Sequence, residues 1–262
     1  MQGNNKNIKN QKKKYKALIV DVDNTLIPNK RDGMPSKKVR EAINKASKIL
    51  YVGVATGRPH FMLAHILDDL KLSGPSIMNG GSEIIDTKSN KTLWERTMEA
   101  KDFILISKIF KNLNINFFVH DDNEDILDLT DYKPKRLFNV VAQGLTLELA
   151  ELAINKVSHI PTIVIHRMVS WQKGKCDIVI NHVYATKQHA ILEISKILDI
   201  NTHEIIGVGD GYNDMPLLMA CGLKVAMGNA VPDLKAIADY IAPTVEEDGV
   251  ADVIEKFILR NS

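Results

Sequence analysis

Three short, nearly continuous apolar runs punctuate the chain, at residues 17–22, 49–55 and 205–209. Runs of this length without alternation suit strands buried on both faces of a parallel sheet. Between and after them, apolar residues recur at helical spacing. Residues 37–48 set Val39, Ala42, Ile43 and Ala46 on one stripe. Residues 59–71 open with Pro59 at a first helical position and carry Phe61, Met62, Ala64, His65, Leu67 and Leu70. Two further stripes, Ala190, Ile191, Ile194 and Ile197 in 187–198 and Val250, Val253, Ile254 and Phe257 in 248–260, predict helices there. Strand and helix in alternation imply an α/β fold.

The middle of the chain has a different rhythm. Glu83–Asp86 and Thr92–Arg96 flank a Ser-Asn-Lys turn, which predicts a hairpin. Helices are expected near 99–112 and 146–157, and strands at 114–120, 125–129, 161–166 and 175–181. The expected division is a basic tail (1–16), a core domain (17–83 and 186–262) and an inserted α+β domain (84–185).

Charge changes the picture only at the N-terminus. The whole chain has 34 basic and 32 acidic residues, a formal net charge of +2. Lys6, Lys9, Lys12, Lys13, Lys14 and Lys16 fall in the first sixteen residues, with no acid among them. The rest therefore holds 28 basic and 32 acidic residues, net −4. A mildly acidic body argues against a large nucleic-acid-binding face. Cys176 and Cys221 are the only cysteines, which argues against a disulfide framework and suits a reducing compartment. The apolar runs are far shorter than a membrane span. The tail is read as solvated, on a cytoplasmic protein.

Candidate chemistry lies where the three apolar runs end. They finish in Asp21-Val22-Asp23-Asn24-Thr25, Thr56-Gly57-Arg58 and Asp210-Gly211-Tyr212-Asn213-Asp214. In an open parallel sheet, ligands bind at the carboxyl ends of the strands, so three polar clusters at such ends point to one site. Asp21, Asp23, Asp210 and Asp214 gathered in a crevice would repel, and a hard cation relieves that repulsion. All-oxygen ligation suits Mg²⁺, which commonly takes a substrate phosphate as a further ligand. Lys187, at the start of a helical pattern, and Thr56 suit phosphate oxygens.

These residues resemble the ordered motifs of the haloacid dehalogenase (HAD) superfamily. They are Asp21-Val22-Asp23-Asn24-Thr25-Leu26, Thr56-Gly57-Arg58, Lys187 and Gly209-Asp210-Gly211-Tyr212-Asn213-Asp214. Met78-Asn79-Gly80-Gly81, Val225–Ala230, Ala238-Asp239 and Glu247–Ala251 further resemble landmarks of its Cof-type phosphatases, subfamily IIB. The resemblance implies a Rossmann-like core, a parallel sheet flanked by helices, with the inserted block as a cap. It implies a Mg²⁺-dependent phosphatase of a small phosphorylated metabolite, a sugar phosphate above all, with no nucleic acid or membrane partner. Asp21 would be the nucleophile that becomes an aspartyl-phosphate, and Asp23 the general acid and base. Asp21, Asp210 and the Asp23 carbonyl would hold the metal. Thr56, Gly57, Arg58, Lys187 and Asn213 would hold the substrate, Arg58 alternatively facing a structural carboxylate, and Asp214 would orient the metal shell or Lys187. A phosphomutase, or a non-catalytic sensor of a phosphorylated metabolite, shares the same motifs.

Two positions depart from the family pattern. Asn24 stands where Gly is usual, and Asn tolerates the left-handed backbone that Gly supplies. Tyr184-Ala185-Thr186-Lys187-Gln188 replaces a Gly-Val-Ser-Lys-Gly flavour, close to the expected hinge. Other signals are weak. Gly207-Val208-Gly209-Asp210-Gly211-Tyr212 begins like a dinucleotide fingerprint but has Tyr at the third glycine. Asp121, Asn123 and Asp125 mimic a calcium loop without its Gly and Glu. His120, His166 and His182 lie in or beside the inserted block, where any could touch substrate but packing or surface roles are favoured; Trp94 is expected in the core, and Trp171, in an expected turn, is left open between packing and substrate contact.

Overall fold

A computed structural model describes residues 15–28, 33–122, 124–170 and 172–260. Most of the basic tail and Trp171 lie outside the described residues. Five strands come first: β1 (Ala17–Asp21), β2 (Tyr51–Ala55), β3 (Pro75–Met78), β4 (Glu83–Asp86) and β5 (Lys91–Glu95). Five more follow: β6 (Phe118–Asp121), β7 (Glu124–Ile126), β8 (Leu137–Leu145), β9 (Ile163–Val169) and β10 (Cys176–His182). The last three are β11 (Ile205–Gly209), β12 (Leu223–Ala226) and β13 (Tyr240–Ile241). The helices are α1 (Lys37–Ala46), α2 (Ala64–Leu70), α3 (Ala100–Asn112), α4 (Leu147–Val157), α5 (Lys187–Ile197), α6 (Met215–Ala220), α7 (Pro232–Ile237) and α8 (Gly249–Ile254).

The first sheet has eight strands in the order β13-β12-β11-β1-β2-β3-β4-β5. From β13 to β3 the pairs are parallel; β4 and β5 then run antiparallel. β1 is buried along its whole length, as an apolar run between helical layers should be. The chain leaves β1 toward β2 on one side and returns as β11 on the other, so their carboxyl ends flank a topological switch point. The α/β expectation holds. The predicted hairpin forms, but it pairs with β3 and extends this sheet, and Trp94 packs on the first sheet's core. By sheet membership the inserted block starts after Glu95.

The second sheet is antiparallel, in the order β7-β6-β8-β10-β9. Phe103, Ile106 and Phe110 of α3 and Ala150, Ala153 and Val157 of α4 pack with Ile178 and Ile180 of β10 in a second hydrophobic core. The helices thus cover one face, and the other turns toward the first sheet. There Asn181 Nδ2 donates to Asn79 O and to Ser82 Oγ, both at 2.8 Å.

Some predicted elements shift. Residues 60–62 form a 3₁₀ turn ahead of α2, and Glu255–Leu259 form a π-helical turn after α8. β8, the longest strand, has no counterpart in the sequence reading, which has no strand between 129 and 161. Its first six residues, Leu137 to Ala142, are all buried, so it lacks the alternation that signals a strand.

Candidate active site

The loop after β1 begins the site. Leu26 N and Ile27 N donate to Val22 O at 2.9 and 3.0 Å, folding the segment into a tight turn. Asn24 adopts φ 59°, so this asparagine does take the left-handed conformation. The β1–β2 register pairs Asp21 with Ala55, which puts Thr56 just beyond Asp21's neighbour. The β1–β11 register pairs Val20 with Val208, which brings Asp210 to the other side.

Helix α5 delivers Lys187 in its first turn. Thr186 caps that helix, accepting from His189 N at 3.3 Å. Lys187 Nζ donates to Asp21 Oδ1 at 2.6 Å and to Asp214 Oδ1 at 2.5 Å. All three are almost wholly buried: Lys187 is 2%, Asp21 4% and Asp214 0% exposed. Asp214 Oδ2 accepts from Asp210 N and Gly211 N, at 3.0 and 2.9 Å. Thr25 Oγ1 donates to Asp210 Oδ1 at 3.1 Å. Asp21 Oδ2 and Asp210 Oδ2 make no hydrogen bond to described residues.

The electrostatics follow from this crowding. Burial, Asp214 and Asp210 raise Asp21 well above the usual carboxylate range, against the pull of Lys187. Asp210 is pushed up to about 7 by burial and Asp214, with the Thr25 bond opposing. Burial disfavours the Lys187 ammonium, but Asp21 and Asp214 outweigh it and hold its pKa above the ordinary lysine value. Asp21, Asp210 and Asp214 each bring an oxygen within 4.8 Å of the others. This all-oxygen, over-acidic set fits a hard divalent cation. Both Asp214 oxygens are already engaged, so the open ligands are Asp21 and Asp210.

Asp23 lies outside that cluster. Arg58 holds both its oxygens, with Nε donating to Oδ2 at 3.0 Å and a terminal nitrogen donating to Oδ1. The sequence places Arg58 with the substrate ligands; here the buried guanidinium faces Asp23. Thr56 Oγ1 accepts from Arg58 N at 3.0 Å. Gly57 lies under the second sheet, with Met168 Cε 3.8 Å from where a Cβ would stand. Asn213 sits half-buried in the Tyr212–Asp214 turn. Thr25 has no assigned role in the sequence reading although it lies within the first motif. The β9 side chains are legible there only if the strand's facing direction is known.

A cleft of about 370 Å³ on the edge of the second sheet is lined by Asp121, Asp122, Glu124, Asp131, Tyr132 and Lys133, among others. Its acidic wall would repel a phosphate. Asp121 is already saturated by Tyr132 Oη, Lys135 N and Arg136 N, as befits a structural turn. No helix among the described residues is long and apolar enough to cross a membrane.

Comparison with known proteins identifies the family. A family model of haloacid dehalogenase-like hydrolases matches residues 18–139 and 120–254. The 5-amino-6-(5-phospho-D-ribitylamino)uracil phosphatase YcsE of Bacillus subtilis (strain 168) is 31% identical over 253 residues, covering 93% of this chain and 96% of that protein. Among solved structures, the HAD phosphatase BT1666 of Bacteroides thetaiotaomicron superposes with a TM-score of 0.80 at 20% identity, covering 97% of this chain and 99% of that one. The HAD subclass IIB sugar phosphatase BT4131 gives a TM-score of 0.77 at 22% identity, covering 92% and 98%. With this fold, the carboxylates at its strand ends, Lys187 at the start of α5 and the family match, the chain belongs to the haloacid dehalogenase-like hydrolases, as a phosphatase.

Proposed function

We propose that the protein is a Mg²⁺-dependent phosphatase that hydrolyses a small phosphorylated metabolite with a sugar-like leaving group, through an aspartyl-phosphate on Asp21. The observation that carries this reading is the buried Asp21–Lys187–Asp214 arrangement beside Asp210. Lys187 fixes one oxygen of Asp21 and leaves the other free to attack phosphorus in line. As the Asp21–phosphorus bond forms, the ester bond breaks and Asp23 gives its proton to the departing oxygen. Asp23 then takes a proton from water, which attacks phosphorus and frees Asp21 and inorganic phosphate. Arg58 donates to both Asp23 oxygens and so must release one of them for Asp23 to carry and pass on the proton. Thr56 and Lys187 hold the phosphoryl oxygens, with Gly57 and Asn213 at the rim. When bound by Asp21, Asp210 and the Asp23 carbonyl, Mg²⁺ supplies charge neutralisation between the anionic nucleophile and the phosphate. Asp214 positions Lys187 through Oδ1 and is itself fixed by two backbone N–H groups.

The substrate class draws support from the relatives. The Bacillus subtilis protein is named for a ribityl phosphate, and a structural neighbour is titled a sugar phosphatase. The test is phosphate release from p-nitrophenyl phosphate with and without Mg²⁺. Asp21→Asn is expected to abolish it; turnover at a near wild-type rate in that variant would overturn the reading.

A further inference from the structure

The second sheet presents one side chain to the site whose chemistry is unspent. On β9 the odd positions face the helices of the inserted block: Ile163 and Ile165 join its hydrophobic core, and Arg167 pairs with Glu151 of α4. The even positions face the other way, where Met168 rests against Gly57 and β9 runs beside the Tyr212–Asp214 turn. His166 lies on that face, next to Met168 on its strand and opposite Val179 of β10. Its Nε2 is buried and has no hydrogen-bond partner among the described residues. An unpaired buried polar atom forfeits its hydration with nothing in return, so such an atom needs a reason. Asp21, Asp214 and Lys187 are buried in the same manner. Burial and the nearby Lys187 ammonium depress His166 to about 4, so the ring stays neutral near pH 7.

Asn139, on β8, has both amide atoms unpartnered too. It is wholly buried next to Asn181, whose amide is committed to Asn79 and Ser82, so it belongs to the joint between the two sheets. The face that His166 shares on β8, β9 and β10 carries no lysine or arginine, and Asp177 lies on it beside Met168. A leaving group with a second anion would find no countercharge there. A neutral, hydroxylated one would find a hydrogen-bonding imidazole between Met168 and Val179.

We propose that His166 reads the leaving group, its Nε2 hydrogen-bonding a hydroxyl of a neutral polyol or sugar phosphate held against Asp21. This rests on the phosphatase reading above. A site built to pair with a hydroxyl discriminates strongly against an analogue that lacks it. The test compares ribitol 5-phosphate with pentyl phosphate, which match in chain length and differ in hydroxyls. The wild type should favour ribitol 5-phosphate in kcat/KM. In His166→Ala the ratio should fall at least tenfold with pentyl phosphate changed less than threefold, and His166→Gln should recover part of it. A wild type with no preference, an unchanged ratio, or equal loss on both esters overturns the proposal. Should the variants not fold, ¹⁵N-histidine spectra of the Asp21→Asn protein with Mg²⁺ decide. His166 Nε2 should shift with ribitol 5-phosphate and not with pentyl phosphate; no shift, or the same shift with both, overturns the proposal. If the wild type releases phosphate from neither ester, both readings fall; if it hydrolyses both and His166 is indifferent, only this one does.

Discussion

At the scale of single residues, the site is a problem in compensating charge. Three carboxylates share a buried crevice with one ammonium. Removing one member of a buried ion pair leaves the others uncompensated, which costs about 3–5 kcal/mol. Lys187→Ala should therefore lose stability as well as turnover. Its urea-unfolding midpoint should drop more at pH 8 than at pH 5, because acid lets Asp21 and Asp210 protonate. A loss independent of pH would contradict this account. The pH dependence of the wild type has a defined sign. Asp210 is raised in the folded state from 3.8 to about 7, so between those values the folded protein binds the extra proton. Stability from this group is greatest at the acid end and falls as pH rises through 7. In metal-free protein, the stability gained by Asp210→Asn over wild type should grow across that window. Mg²⁺, which favours the ionised carboxylates, should raise the wild-type melting temperature more at pH 8 than at pH 5. Both are read by thermal melts.

At the scale of elements, one close approach sets the reach of Lys187. Gly81 has φ 119°, and a Cβ there would stand 2.2 Å from Thr186 C and 2.7 Å from Lys187 N. The turn after β3 is thus pressed against the first residues of α5. Gly81→Ala would add both a strained backbone and a clash, costing more than about 1 kcal/mol. It should also displace Lys187 and lower kcat more than a remote mutation of equal stability cost. Thr186→Ala, which removes the cap and the Oγ1 contact with His189 Nδ1, should cost about 1 kcal/mol in unfolding experiments while leaving the close approach intact. The sequence flagged both stretches, Met78–Gly81 and Tyr184–Gln188, but as separate motifs. Their contact joins residues more than a hundred positions apart.

At the scale of the whole molecule, two hydrophobic cores lie in separate sheets, and one interrupts the other in sequence. The second sheet and helices α3 and α4 carry their own core, so residues 97–184 expressed alone should fold cooperatively. A flat thermal melt by circular dichroism would refute that. Asp21, Asp214 and Lys187 are almost wholly buried, while the Asp23 side chain stays partly exposed. The joint includes the Asn181 bonds to Asn79 and Ser82, and Asn181→Ala should increase amide exchange in the residue 79–82 turn.

The amino-acid sequence by itself determined the α/β core and named the residues that gather in the proposed site. Buried parallel strands read as apolar runs whatever surrounds them, and Asp21, Asp210, Asp214 and Lys187 stand at strand ends or helix starts that the runs mark. It also foretold the left-handed Asn24, because that is a property of the residue itself. Tertiary structure decided the rest. β8 was hidden because burial on both faces removes the alternation that marks a strand. The β4–β5 hairpin joins the first sheet, which the sequence left open because local pattern does not say which edge a hairpin will extend. Arg58 turned to Asp23 because the parallel pairing of β1 with β2 sets their following loops side by side, and His166 faces away from the helices of the inserted block because the pairing of β9 with β10 fixes the strand's facing direction. Arg58 and Asp23 lie far apart in the chain, and only folding brings them within hydrogen-bonding distance.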